Sequence, residues 1–203
     1  MKRILLVRHA QSELNEKGVF QGSIDSDLTP LGFVQARLVA ERLRRERPQL
    51  VVTSPQRRAY KTALTVADVL GLPLEVDERL KEMCFGELEG RPFWETFREK
   101  PELFRNWLKD PAACPLPGQE DAEGFFNRVR SFLNELLARE HDCVVVVGHG
   151  GSLHALVALA LGLGAGKLWH FQLDNASVTE LNYDGERFLL KYFNDTCHLS
   201  SLA

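Results

Sequence analysis

The sequence predicts an α/β fold of three layers, a mostly parallel sheet with helices on both faces. Three observations predict it. Two aliphatic runs, ILLV at 4–7 and VVVV at 144–147, are continuous where a half-exposed strand would alternate, as in strands buried on both faces of a parallel sheet. Strand and helix signals then follow one another along most of the chain. Finally, both runs stop at a histidine: Arg8-His9 follows the first, and Gly148-His149-Gly150-Gly151 follows the second. In open α/β sheets the carboxyl ends of the strands line the ligand crevice, so the two imidazoles are expected in one site.

The elements follow in order. After the first strand, residues 10–29 form a polar loop. Thr29-Pro30 offers an N-cap with proline at the first helical position, and Val34, Leu38, Val39 and Leu43 recur at helical spacing, giving a helix over about 30–46. Leu50, Val51 and Val52 form a second short strand that stops at Thr53-Ser54-Pro55, where Ser54 is expected to cap a helix carrying Arg57, Arg58, Thr62 and Ala63. Between 84 and 120, Pro92, Pro101, Pro111, Pro115 and Pro117 break up aromatic-rich helical pieces, an excursion from the sheet. Phe93, Phe97, Phe104 and Trp107 there either pack the excursion onto the body or wall a substrate's organic part. Residues 121–140 form an amphipathic helix with Phe125, Phe126, Val129, Phe132, Leu133 and Leu136 on one face. It leads into the second histidine-tipped strand. Gly150-Gly151 turns into a helix from Leu153 to Leu161, and two alternating runs around Asp184-Gly185 close the chain as a hairpin.

With 203 residues the chain is long for one domain and short for two, so a single domain over 1–203 is expected, with an irregular helical excursion at about 84–120. The content of 44% hydrophobic and 26% charged residues is that of a soluble protein, and no stretch approaches the roughly 20 apolar residues of a membrane span. The start, MKRILLVRH, has too short an apolar stretch for a signal peptide. A cytoplasmic protein without membrane association is expected. Cys84, Cys114, Cys143 and Cys197 form no C-x-x-C pair, which argues against a zinc site or redox dithiol. The net charge of −3 with dispersed basic residues gives no field for a nucleic acid. A homo-oligomer is neither required nor excluded. Gly162-Leu163-Gly164-Ala165-Gly166-Lys167 fails as a phosphate loop, because positions 161 and 168, where that loop needs glycine and Ser/Thr, both hold leucine.

The residues at the strand ends suit phosphate. Arg8 stands beside His9, and Arg58 lies in the first turns of the helix after the second strand, whose N-terminus adds partial positive charge. Asn15 adds an amide donor. A neutral imidazole is a competent nucleophile toward phosphorus, and neighbouring cations keep its lone pair free by lowering its pKa. Glu82, ahead of the turn glycine Gly86, is the best candidate acid for the leaving oxygen, with Glu89 as its rival. His141, His154, His170 and His198 are read as structural.

These residues resemble a known family. Arg8-His9-Ala10-Gln11 with Asn15 looks like the R-H-G-[EQ]-x-x-x-N signature of the histidine phosphatase (phosphoglycerate mutase-like) superfamily. Ser54 to Ala59 with Thr62-Ala63, Leu80 to Gly90, His149-Gly150-Gly151 and Asn175-Ala176-Ser177 resemble its later motifs in family order. The resemblance implies the phosphoglycerate mutase-like fold, a phosphorylated His9, Glu82 as proton donor, and His149 steadying the transferring phosphoryl group. It places phosphate binding on Arg8, Asn15, Arg58 and His149. Two departures stand out: Ala10 in place of the usual glycine, and Asp121 where many relatives have serine.

The superfamily contains hydrolases and mutases. The segment between Glu82 and His149 is short and poor in the cations with which mutases grip their substrate, and Gln21-Gly22-Ser23-Ile24-Asp25 resembles the phosphatase form of its loop. The expected function is a phosphatase, needing no metal or cofactor, that hydrolyses a small phosphorylated metabolite through a phosphohistidine, with Gln21, Gly22 and Gly150 contacting substrate. The alternatives are a cofactor-dependent phosphoglycerate mutase and a non-catalytic phosphate-binding regulator. A metallohydrolase finds no H-E-x-x-H or closely spaced ligand set. Sugar phosphates, phosphoglycerate, nucleoside monophosphates and α-ribazole phosphate all remain compatible as substrates.

Overall fold

The aliphatic runs do become strands buried on both faces. In the computed structural model, described for residues 1–202, β1 (Lys2–Arg8) carries Ile4 to Val7 at no more than 1% exposure. There follow α1 (Glu13–Glu16), α2 (Pro30–Leu43), β2 (Leu50–Thr53), α3 (Arg57–Leu70), β3 (Leu74–Val76), α4 (Phe93–Glu99), α5 (Pro101–Lys109), α6 (Ala122–Ala138), β4 (Cys143–Gly148), α7 (Gly150–Ala160), β5 (Val178–Tyr183) and β6 (Phe188–Asp195). The six strands form one sheet in the order β3-β2-β4-β1-β5-β6. The first four are mutually parallel, and β5 and β6 run antiparallel as the hairpin at the edge.

Side-chain alternation splits the strands between two cores. Ile4, Leu6, Val52, Val144 and Val146 pack with Phe125, Val129 and Phe132 of α6 and Leu153 and Leu156 of α7. Leu5, Val7, Val51, Val145 and Val147 face the other way, onto Val39 and Leu43 of α2 and Ala59, Ala63 and Val66 of α3. The period-two geometry of a strand therefore demands a helix layer on each face, as the sequence predicted.

The predicted boundaries hold with local adjustments. Thr29 caps α2, its Oγ1 accepting from Gly32 N at 3.0 Å, and the helix tightens to a 3₁₀ turn over Arg44–Glu46. Asp121 caps α6 by accepting from Gly124 N at 2.7 Å, so the departure at this position is a capping exchange between two good N-cap residues. The helix after Gly150-Gly151 begins at Gly150 itself, and β3 is an element the sequence reading did not include. Among the described residues no helix is long and apolar enough to cross a membrane.

The excursion becomes α4 and α5, with Pro101 at the first position of α5. Phe104 and Trp107 are buried, and Phe104 stacks on Phe20 with centroids 5.6 Å apart. The packing reading of these aromatics is the correct one. None of Phe93, Phe97, Phe104 and Trp107 lines the cavity described below; the apolar wall is built instead from Val19, Phe20, Phe85 and Trp169.

Candidate active site

The register of the two central strands decides the site. β1 pairs with β4 so that Arg8 lies opposite Gly148, and His9 N donates to Gly148 O at 2.9 Å. The next residue on each chain is a histidine, and the two rings sit with centroids 5.2 Å apart. They adjoin a cavity of about 210 Å³ lined by Arg8, His9, Asn15, Gln21, Gly22, Arg58, Glu82 and Gly150, together with the apolar wall and His154. Every predicted site residue except His149 is on its surface. His149 is fully buried beside His9 and does not itself line the cavity.

His9 is held for one role. Its Nδ1 lies 2.8 Å from the Ala10 carbonyl, which can only accept, so Nδ1 carries the proton and Nε2 the lone pair. Burial, and then the charges of Arg58 and Arg8, push its pKa well below the usual imidazole value. Ala10 is buried against Leu28, Ala36 and Ala176 and has no left-handed backbone, so alanine is accommodated where relatives carry glycine. Its N–H donates to Thr62 Oγ1 at 3.0 Å, which explains the threonine one turn after Arg58. From the other side Ala176, in the left-handed region at φ 57°, donates its N–H to Arg8 O at 3.0 Å, and Asn175 Nδ2 donates to His9 O at 2.9 Å.

Arg58 is 1% exposed, and its two terminal nitrogens donate to Ile24 O at 2.8 Å and Gly22 O at 2.9 Å. Arg8 donates to Leu173 O. In both guanidiniums the Nε is buried without a protein partner. Burial lowers both arginines from their ordinary value, with Glu82 the leading opposing influence, and both remain cations. Asn15 turns its Oδ1 toward Ser12 and Asn175, which fixes the amide and leaves its NH₂ as a free donor. Buried unpaired donors around one cavity make an anion site.

Glu82 lines the same cavity. Its Oε1 accepts from Met83 N at 2.9 Å and its Oε2 from Gly151 N at 3.0 Å, at the start of α7. Glu89, the rival acid, is elsewhere: its Oε1 accepts from Ser23 N and from Phe85 N, each at 2.8 Å, and it ties two loops together away from the cavity. Gly22 lies in the left-handed region at φ 51°, which favours glycine, and a Cβ there would also stand 3.0 Å from the Met83 carbonyl oxygen. Gln21 is anchored through Oε1 by Ser12 and Ser26, each at 2.9 Å.

Several functional contacts escaped the sequence reading. Ser54 does not cap α3; Gln56 is the cap residue, and Asp25 accepts from Arg57 N at 2.8 Å. Ser54 Oγ instead lies 2.8 Å from His149 Nε2, while His149 Nδ1 is buried without a partner. Burial, then Arg58, His9 and Arg8, hold His149 well below the normal imidazole pKa. Gln56 bridges the walls, donating to Gly22 O and accepting from Glu82 N, both at 2.8 Å. Arg128 of α6 donates to the carbonyls of Arg79, Lys81 and Glu82 at 2.6, 2.8 and 3.2 Å, clamping the segment that carries the acid. His154, read as structural, is in the cavity wall. Ser54 at a strand end was the one signal available; Gln56, a cap residue, and Arg128, on α6, are ordinary polar residues and carry none.

The family model "Histidine phosphatase superfamily (branch 1)" matches residues 4–196. A Hydrogenobacter thermophilus protein named "Putative phosphoserine phosphatase 2" is 53% identical over the whole of both chains. An Arabidopsis thaliana protein named "Metal-independent phosphoserine phosphatase" is 35% identical, covering 98% of this chain and 84% of its own. Among solved structures, a mycobacterial glucosyl-3-phosphoglycerate phosphatase complexed with VO3 superposes with a TM-score of 0.89 at 32% identity, covering 97% of this chain and 100% of that one. Matched over nearly its full length, the chain belongs to the histidine phosphatase superfamily, branch 1.

Proposed function

We propose that this protein is a metal-independent phosphatase that hydrolyses a small phosphorylated metabolite through a phosphohistidine at His9. The observation that carries the reading is a single one: a neutral imidazole, its Nδ1–H pinned to Ala10 O, lines one cavity together with two guanidiniums that have unpaired Nε donors and a carboxyl group. In the first step Nε2 of His9 attacks phosphorus, the bond to the ester oxygen breaks, and the Glu82 carboxyl proton passes to that oxygen to release the alcohol. In the second, Glu82 takes a proton from water as its oxygen attacks the phosphohistidine, which frees inorganic phosphate and restores the lone pair on His9. Arg8, Arg58 and the Asn15 amide bear the phosphoryl charge in both steps, with His149 packed behind His9 to steady the transferring group.

Among the described residues the cavity lining holds no lysine and no arginine beyond Arg8 and Arg58, which favours hydrolysis over a mutase, since a mutase must retain an anionic intermediate. The relatives named phosphoserine phosphatases make O-phosphoserine the first substrate to assay. Four free cysteines fit a reducing cytoplasm. The test is a rapid quench with ³²P-labelled phosphomonoester in the presence of EDTA. Acid-labile, base-stable label on His9 and phosphate release that survives the chelator are expected; a His9→Ala protein with wild-type turnover overturns the reading.

A further inference from the structure

His154 is a buried histidine that the chemistry above does not use. It lies on α7 and is 6% exposed, and neither ring nitrogen has a hydrogen-bond partner. Burial in this apolar corner holds its pKa at about 3, so it is a neutral imidazole with one N–H to give. Its ring meets Trp169 edge-on at 5.5 Å, and the indole Nε1, a donor only, is likewise buried without a partner. A native interior rarely leaves two donors unsatisfied side by side, and both residues line the cavity.

Their place in that cavity is the leaving-group side. A Cβ built on Gly151 would lie 2.3 Å from Glu82 Oε1 and 3.3 Å from Trp169 Cη2, so the indole adjoins the carboxyl group that protonates the departing oxygen. An alcohol that takes its proton from Glu82 has Trp169, and His154 beside it, as neighbours in the cavity wall. The cavity, about 210 Å³, is smaller than the roughly 300–1,000 Å³ of pockets for larger ligands and suits a small alcohol. The complementary group accepts hydrogen bonds from the indole N–H and from the imidazole N–H, and the field of nearby Arg8 favours a negative charge on it. Among small metabolite groups that describes a carboxylate.

Resting on the phosphatase reading, we propose that His154 and Trp169 are specificity-determining residues that receive the carboxylate of the leaving alcohol, so that the preferred substrates are phosphate monoesters of small hydroxy acids or hydroxy amino acids. O-Phosphoserine and O-phosphoethanolamine differ only in that carboxylate, and the ratio of their kcat/KM values is the readout. Because the ratio is taken within one protein, loss of folded enzyme cancels. The wild type should prefer phosphoserine by ten-fold or more, and His154→Phe, which removes no protein hydrogen bond, should reduce the ratio about 10- to 100-fold, the range of a hydrogen bond to a charged group. Trp169→Phe should reduce it in the same direction, and His154→Gln, which restores an N–H donor, should recover part of it. A wild type indifferent to the carboxylate, or a ratio unchanged in both His154→Phe and Trp169→Phe, overturns the assignment. If such a protein still hydrolyses p-nitrophenyl phosphate, the phosphatase reading survives and only the carboxylate subsite falls; if the wild type hydrolyses none of the three, both fall.

Discussion

Gly151→Ala separates the acid from the fold. Gly151 is the second residue of α7, and its backbone is not left-handed, so alanine meets no conformational penalty and gains up to about 1 kcal/mol of helix propensity. The new Cβ would, however, stand 2.3 Å from Glu82 Oε1. The carboxyl group is the free end of a flexible side chain and moves away at little energetic cost, but in moving it loses the 3.0 Å bond from Gly151 N and its place beside the leaving oxygen. Misplacing a catalytic group by about 1 Å costs roughly 100-fold in rate. The variant should therefore melt within about 1 kcal/mol of wild type while kcat/KM for an alkyl phosphate falls roughly 100-fold. For p-nitrophenyl phosphate, whose leaving group needs little protonation, the loss should be several-fold smaller. Thermal unfolding and steady-state assays with both esters decide it. Wild-type rates, or equal losses on both esters, would refute the placement of Glu82 as the acid.

Three other outcomes follow from the site. Burial first, and then Arg58, keep His9 unprotonated, so Arg58→Ala should move the acid limb of the kcat/KM profile upward toward 6.5, besides weakening phosphate binding; an unmoved limb counts against the electrostatic role. Arg128→Ala removes the clamp on three carbonyls of the acid-bearing segment, and kcat for alkyl phosphates should fall about ten-fold with KM little changed and a loss of about 1–3 kcal/mol in unfolding. The buried neutral histidines also make stability pH-dependent. Because the folded pKa of His154, about 3, lies below its unfolded value, the unfolded chain takes up the proton first; stability is complete above about 6.5 and drains away as pH falls toward 3. Relative to His154→Phe, the wild type should lose about 2 kcal/mol between pH 8 and pH 5 in denaturant titrations.

The sequence was informative wherever the physics is local. Continuous aliphatic runs report a strand buried on both faces, Thr29-Pro30 reports a helix start, and Asp184-Gly185 reports a hairpin, because each signal acts over a few residues of chain. The same local logic, with the resemblance at the strand ends, picked out Arg8, His9, Asn15, Arg58, Glu82 and Gly150, which the fold gathers around one cavity. What the chain could not announce are the contacts that exist only after packing. Ser54 meets His149 across 95 residues, and Arg128 reaches the Glu82 carbonyl across 46. The choice of Phe20, Phe85, Trp169 and His154 over the aromatics of α4 and α5 as the cavity wall was likewise made by how the helical layer seats on the sheet. A side chain's type sets which bonds it can make, and the register of β1 against β4 and the tilt of the helices above them set which partner it finds.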